Sequence, residues 1–400
     1  MALPKVLLVS AEFPPRGGGV GAYTRRLAEA LLDLGTPVEV ATSSSEGEDQ
    51  EFSFPVWRKM ADWSFASWGQ LRWLLAETRP SILHIQYQAG AYRHHPAINL
   101  SPYWVRFSRS GMRVAVTFHD LRGPYLFPKA GPLRAWSLRL MARSADVAIV
   151  ADRADQARLA RWGVAAERIP IGSNIDPKPP QGYDRADWRS ERGVKHGDVV
   201  LAYFGFLHES KGADVLVEAL SQLVAKQHPV SLLMVGRMAG ESNPTTIAYA
   251  AGVRERLARD GLDDRVHWTG YLVPAEVSGW LMAADLCVLP YADGASLRRG
   301  SLMAALAHGL PVVTTFPSGP VPELVDGVNA ALVAPGDAAA LAARIEALAA
   351  SPGERERLGR GARKLSRTFS WDRVAAATMD QYRRLLGANA GAGSAAGRAT

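Results

Sequence analysis

A single cysteine in 400 residues, Cys287, excludes any disulfide within the chain and fits a reducing compartment. It lies in the apolar run Asp285–Leu289, where a thiol is expected to be a small buried hydrophobe, not a nucleophile. No apolar run approaches the ~18 residues of a membrane-spanning helix. Met1–Ser10 holds one strand-length apolar run without a cleavage-type ending, so a cytoplasmic chain with no spanning segment is expected. A dinucleotide fingerprint is missing too. Gly17, Gly19 and Gly21 do not make the G-x-G-x-x-G spacing, and the second strand ends in Thr42-Ser43-Ser44 without a carboxylate to hold a ribose, which disfavours NAD. Lys211-Gly212 lacks the spacing of a phosphate-binding Walker loop. There is no zinc spacing, no ribonucleoprotein-type aromatic pattern and no recognition-helix pair, so no nucleic-acid partner is expected. With no Asp-x-Asp pair and no His/carboxylate cluster, no metal is required. His94-His95 reads as a polar loop more readily than as a ligand pair.

The composition that remains, 48% hydrophobic and 21% charged, is that of an ordinary soluble globular protein. Its length calls for two domains of roughly 150–200 residues. The net charge of +7 is unevenly spread. Between Arg58 and Arg168 about 17 Lys and Arg face about 7 Asp and Glu, interleaved with Trp57, Trp63, Trp68, Trp73, Trp104 and Trp136. This mixture suits a peripheral contact with an anionic membrane face or a lipid-phosphate acceptor. It equally suits solvated helix faces over a tryptophan-bearing core.

Strands and helices alternate twice along the chain. Lys5–Ser10 is a continuous apolar strand, and Val20–Leu34 repeats its apolar residues at three- and four-residue spacing before Gly35. Val38–Thr42, Ile82–Gln86, Arg113–Phe118 and Val147–Val150 follow as short strands. The rhythm restarts with Val199–Phe204, a helix from about Ala213, and strands at Ser231–Val235, Val266–Trp268, Leu286–Pro290 and Val312–Thr315. The expected division is a first domain over residues 1–175, a proline-rich linker over 176–197 and a second domain over 198–370. A returning helix over 371–386 and a disordered Ala/Gly/Ser-rich tail over 387–400 complete it.

Asp293 to Ser301 is the most informative stretch. It opens a short apolar helix that ends at Gly309 and gives way to a strand. Gly300 and Ser301 leave backbone N–H groups free at the helix start, where the dipole favours an anion, and Arg298 and Arg299 add full charges. A phosphate-bearing small molecule is the natural occupant; the alternative is a capped structural helix behind a solvated arginine pair. Glycine-bearing loops follow the first strand of each half, Pro14–Gly21 and Phe204–Gly212, where ligands of parallel sheets collect.

These loops, with Thr117-Phe118-His119-Asp120, Gly309-Leu310-Pro311-Val312-Val313, Pro322-Glu323-Leu324-Val325-Asp326-Gly327 and Pro335-Gly336-Asp337, resemble the family 4 retaining glycosyltransferases over nearly the whole chain. The resemblance implies the GT-B fold: α/β, two Rossmann-like parallel-sheet domains facing across a cleft, with a nucleoside-diphosphate sugar as donor and a last helix crossing back to the first domain. It implies a sugar or lipid-linked acceptor, a leaving phosphate that itself takes the acceptor proton, and no cofactor beyond the donor. Carried over residue by residue, His119 faces the donor sugar and Lys211 holds the diphosphate. The amides of Gly300, Ser301 and Leu302 contact the diphosphate, Gly18, Gly19 and Gly205 line the loops around it, and Tyr271 and Val273 border the nucleobase.

Two departures stand out. Where the family commonly has a Glu-x7-Glu pair, this chain has Ser296 and Ala304, and where arginine usually follows the second-domain glycine it has Phe206. Asp293 is the candidate substitute for a sugar hydroxyl contact, and Arg298 and Arg299 for phosphate charge. The missing pair leaves open a non-catalytic sugar-nucleotide-binding protein or a sugar-nucleotide epimerase on the same fold.

Overall fold

The computed structural model describes residues 3–15, 18–44, 51–108, 111–123, 131–236 and 244–396. Arg16 and Gly17 of the first glycine-rich loop lie outside the described residues, as do 124–130, 237–243 and 397–400. The chain divides into two compact units, Met1–Gly172 with Ser370–Thr400, and Ser173–Phe369.

The first unit runs β1 (Val6–Val9), α1 (Gly19–Asp33), β2 (Val38–Ser43), β3 (Val56–Met60), α2 (Ser67–Thr78), β4 (Ile82–Tyr87), α3 (Ala97–Ser108), β5 (Arg113–Phe118), α4 (Gly131–Ser144), β6 (Val147–Val150), α5 (Arg153–Arg161) and β7 (Ala166–Arg168). Its seven strands are all parallel in the order β3-β2-β1-β4-β5-β6-β7. Central strands covered on both faces are largely apolar: β1 and β4 are buried at every position, and the polar His84 and Gln86 of β4 are buried with the rest.

The second unit continues with α6 (Arg185–Glu191), β8 (Val199–Phe204), α7 (Ala213–Ala225), β9 (Val230–Val235), α8 (Pro244–Arg259), β10 (Val266–Trp268), α9 (Pro274–Ala283), β11 (Leu286–Leu289), α10 (Gly300–Ala307), β12 (Val312–Thr315), β13 (Ala331–Val333), α11 (Ala338–Ala349) and α12 (Pro352–Ser366). Its six parallel strands take the order β10-β9-β8-β11-β12-β13. Cys287 lies in β11, wholly buried, and burial pushes its thiol up to about 12, so it is an inert core group.

In each sheet the strand order reverses beside the first strand, between β1 and β4 and between β8 and β11. Loops leaving the carboxyl ends of those strands diverge there and open a crevice. Helix α13 (Trp371–Ala396) belongs to the first unit, where Trp371, Val374, Ala375, Met379 and Tyr382 join the core beneath α1.

Two expectations are corrected. Residues 176–197 are part of the second unit and carry α6, which Asp184 caps by accepting from Ala186 N (2.7 Å) and Asp187 N (2.9 Å). Arg185 and Arg189 from α6 grip Asp285 (2.6 and 2.8 Å), and Trp188 packs on Trp280 (4.8 Å between rings). The nearby prolines conceal these attachments. Helix α13 also runs on to Ala396, through most of the stretch expected to be a disordered tail, where alanine supports helix.

Candidate active site

In the second unit β8 delivers the chain to Gly205, whose φ of +118° favours glycine. His208 accepts from Ser210 N (3.1 Å) and starts a single 3-10 turn, Glu209–Lys211, that Gly212 (φ +66°) closes against the carbonyl of Pro290. The turn brings Lys211 back over Gly205: a methyl group there would lie 2.5 Å from the lysine Nζ and 4.0 Å from Ser301 Cβ. Burial, and then the charge of Arg299, lower the Lys211 amine to about 8.

The loop after β11 meets it from the far side of the crevice, Ala292 N donating to Ser210 O (3.1 Å). Tyr291 is fully buried and its hydroxyl shares a 2.8 Å hydrogen bond with Ser301 Oγ. Arg299 stacks over the Tyr291 ring at 4.6 Å, reaches Ser210 Oγ at 3.5 Å and pairs with Asp293. Asp293 and Arg299 therefore hold one another. Arg298 is exposed, its N–H donating to Ser296 Oγ (3.3 Å).

Helix α10 starts at Gly300, beside open space, and its amides at Gly300 and Ser301 precede the first intrahelical bond, Met303 N to Arg299 O (3.0 Å), whereas the Leu302 amide, expected to meet the diphosphate, is turned to the Tyr291 hydroxyl. Tyr271 and Val273 leave the end of β10 largely exposed, at 68% and 48%, as the walls of an apolar slot would be. Ser296 is half-buried and Ala304 buried inside α10, so neither supplies a charge.

Thus Gly205, Lys211, Asp293, Arg299, Gly300 and Ser301 gather at one strand-order reversal. Ser210, Tyr291 and Tyr203 were not foreseen. Tyr203, at the end of β8, is buried and its hydroxyl has no hydrogen-bond partner. All three sit in apolar or turn sequences that carry no spacing signal.

His119, Gly18 and Gly19 belong to the first unit. Gly18 lies so close to the Glu12 carboxylate that a side chain there would collide with it, and Gly21 packs on the Glu12 backbone. His119 follows β5, its amide donating to Tyr87 O (2.9 Å), its ring edge-on to Tyr23 (4.7 Å) and its Nε2 3.0 Å from Gln86 Oε1. Burial lowers it to about 4, so the ring is neutral at physiological pH. His84, below it between Thr117 Oγ1 (2.7 Å) and Tyr382 (2.6 Å), is likewise neutral, at about 3. Among the described residues, no group of three or more His, Cys, Asp and Glu is placed to hold a metal ion.

Two doubly wound parallel sheets, one with a desolvated lysine and the start of a helix at its crevice, make a two-unit α/β protein with a cationic seat at the carboxyl edge of its second sheet. Residues 18–174 match the family described as "Glycosyl transferase 4-like domain", and residues 198–351 match "Glycosyl transferases group 1". The chain is a family 4 glycosyltransferase with the GT-B fold, and moves sugar from a donor to an acceptor. It is 32% identical over 258 residues to a D-inositol 3-phosphate glycosyltransferase of Xylanimonas cellulosilytica, across 60% of this chain and 57% of that one. The relative of the same description from an Arthrobacter species is 27% identical over 392 residues, 91% of this chain and 90% of the relative. The first alignment spans little more than half of the relative's length, the second nearly all of it. Among solved structures, sucrose-phosphate synthase from Thermosynechococcus elongatus superposes with a TM-score of 0.75 at 23% identity, covering 96% of this chain and 100% of that one. Anabaena HepE in complex with UDP and glucose gives 0.72 at 20% identity, covering 94% and 99%.

Proposed function

We propose that the chain transfers a sugar, with retention of configuration and without a metal ion, from a nucleoside-diphosphate donor to an acceptor hydroxyl. The observation that carries the donor assignment is Lys211: a desolvated amine with no carboxylate partner among the described residues, beside Arg299 and the Gly300 and Ser301 amides that open α10. Two neighbouring cations in a partly dry crevice repel each other, and a diphosphate relieves that repulsion. In the reaction the bond from the anomeric carbon to the donor's phosphate oxygen breaks while the acceptor oxygen bonds to the same face of that carbon. The acceptor's proton passes to the leaving phosphate. Charge grows on the diphosphate as this happens, so Lys211, Arg299 and the helix amides stabilise the transition state more than the ground state. UDP bound to HepE and its UDP-glucose complex support a uridine nucleotide as the first donor to try.

Thermal unfolding with UDP, GDP, ADP and TDP, free and as sugar conjugates, tests the donor. A nucleotide that binds, present at 100 times its Kd, stabilises by about 2.7 kcal/mol and raises the Tm of a unit this size by about 5–10 °C. No shift with any of them removes the donor assignment. A shift without nucleoside-diphosphate release in the presence of glycan, lipid and small-molecule acceptors would favour a non-catalytic binder.

The acceptor side points to a lipid surface. No helix among the described residues is long and apolar enough to cross a membrane. Of the tryptophans in the basic region, Trp63 is buried and Trp68 stacks on Trp104 (5.4 Å), so part of the signal is core. The rest is surface: Tyr103 and Phe107 on α3, and Leu133 and Trp136 on α4, are 48–73% exposed. Helices α3 and α4 pack together, carry exposed Arg106, Arg139 and Arg143, and contain no carboxylate. Vesicles of phosphatidylglycerol are expected to sediment with the protein, those of phosphatidylcholine not, and 0.5 M salt is expected to release it. Phe107→Ser with Trp136→Ser should cut the bound fraction at least tenfold; unchanged sedimentation of that variant would detach this face from the acceptor's membrane.

A further inference from the structure

Gln86 is the penultimate residue of β4 and wholly buried; its Oε1 lies 3.0 Å from His119 Nε2, while its own Nε2 has no hydrogen-bond partner. An amide proton left unpaired in a protein interior is costly, so the side chain is committed to something else. A carbonyl oxygen accepts only, which requires a proton on His119 Nε2 and leaves the lone pair on Nδ1. Nδ1 has no partner among the described residues, yet the ring remains partly exposed at the strand end. The ring is fixed from other sides as well, by the edge of Tyr23, itself packed on Trp371 (5.1 Å), and by the backbone bond to Tyr87 O. The titratable groups around it are His84, Tyr23 and the adjacent Asp120; among the described residues no lysine or arginine pairs with the imidazole.

We propose that Gln86 is a positioning residue: it holds His119 as the neutral Nε2–H tautomer and so presents Nδ1 as a hydrogen-bond acceptor to a sugar hydroxyl at the carboxyl edge of the first sheet. A carboxylate of the same shape would draw a second proton onto the ring and destroy the acceptor. An apolar side chain would leave the tautomer unspecified. The hydroxyl partner rests on the proposed sugar transfer, but the tautomer does not, so the two fail separately.

The test is long-range ¹⁵N–¹H correlation on the full chain with labelled histidine, His119 assigned by loss of its signal in His119→Asn. Wild-type protein is expected to show Nε2 protonated and Nδ1 bare from pH 8 down to 5.5. Gln86→Glu is expected to move the titration of His119 up by at least two pH units and to show an imidazolium at pH 6. Gln86→Met is expected to give a mixture of tautomers while far-UV circular dichroism stays unchanged, and it decides the matter should the Glu variant not fold. A protonated Nδ1 in the wild type, or a Met variant with the wild-type tautomer, overturns the proposal. Absence of any UDP or UDP-glucose binding to wild-type protein would strike the donor assignment and leave the tautomer standing.

Discussion

Lys211→Met should lower nucleoside-diphosphate affinity at least about 100-fold, and kcat/KM by more, without making the unliganded protein less stable at pH 7. The two halves of this expectation have one cause. Lys211 is lowered to about 8 by burial and by Arg299, with no carboxylate in return. Between pH 8 and 10.5 the unfolded chain therefore holds a proton the folded chain releases, and stability must rise with pH across that window. Below about pH 8 the folded protein carries the full cost of a charged, poorly solvated amine, roughly 3 kcal/mol. Methionine fills similar space without that cost. Urea unfolding at pH 7 and pH 10 should show the alkaline gain in wild type, and a smaller gain in the variant. UDP titration supplies the functional half. Affinity within threefold of wild type would show that the amine does not touch the diphosphate, and a stability loss of several kcal/mol would show that it has a structural partner instead.

Much of this crevice is legible before any coordinates. Strands covered on both faces are written as largely apolar runs, so β5, β6, β8 and β12 coincide with the runs read from the sequence, and β1, β4, β9 and β11 differ by a residue or two; β10, an edge strand, coincides as well. The strands missed, β3, β7 and β13, all lie at sheet edges. β3 reads Val-Trp-Arg-Lys-Met and β7 Ala-Glu-Arg, the charged compositions that edge strands use to resist pairing with other chains, which erase the apolar signal. The start of α10 at Gly300 was legible because a glycine before an apolar run that ends in another glycine follows a local rule. Tyr291, Ser210 and Gln86 were not, since their roles arise from contacts between separate loops or strands that no spacing encodes. The Asp293–Arg299 pair shows the same limit. Each was read alone as a ligand group, and the structure gives each to the other, so a phosphate or hydroxyl must compete with that pair to reach them.

The same geometry makes Gly205 the position where the smallest change has the largest reach. Gly205→Ala adds one methyl group at φ +118°, strained for any L residue, and places it 2.5 Å from Lys211 Nζ. The lysine end is flexible and will move, so the backbone strain, about 1–3 kcal/mol, sets the stability loss, and the Tm should fall by about 2–10 °C. The displaced amine sets the functional loss, an expected drop in nucleoside-diphosphate affinity of about 30-fold or more. Because both substitutions remove one interaction, their binding effects should not add. The double variant Gly205→Ala/Lys211→Met should bind UDP about as weakly as Lys211→Met alone, while its stability loss, which comes from the backbone, should persist. Additive binding losses would mean that the Gly205 loop meets the diphosphate through its own backbone, and that the lysine is only one of two independent grips.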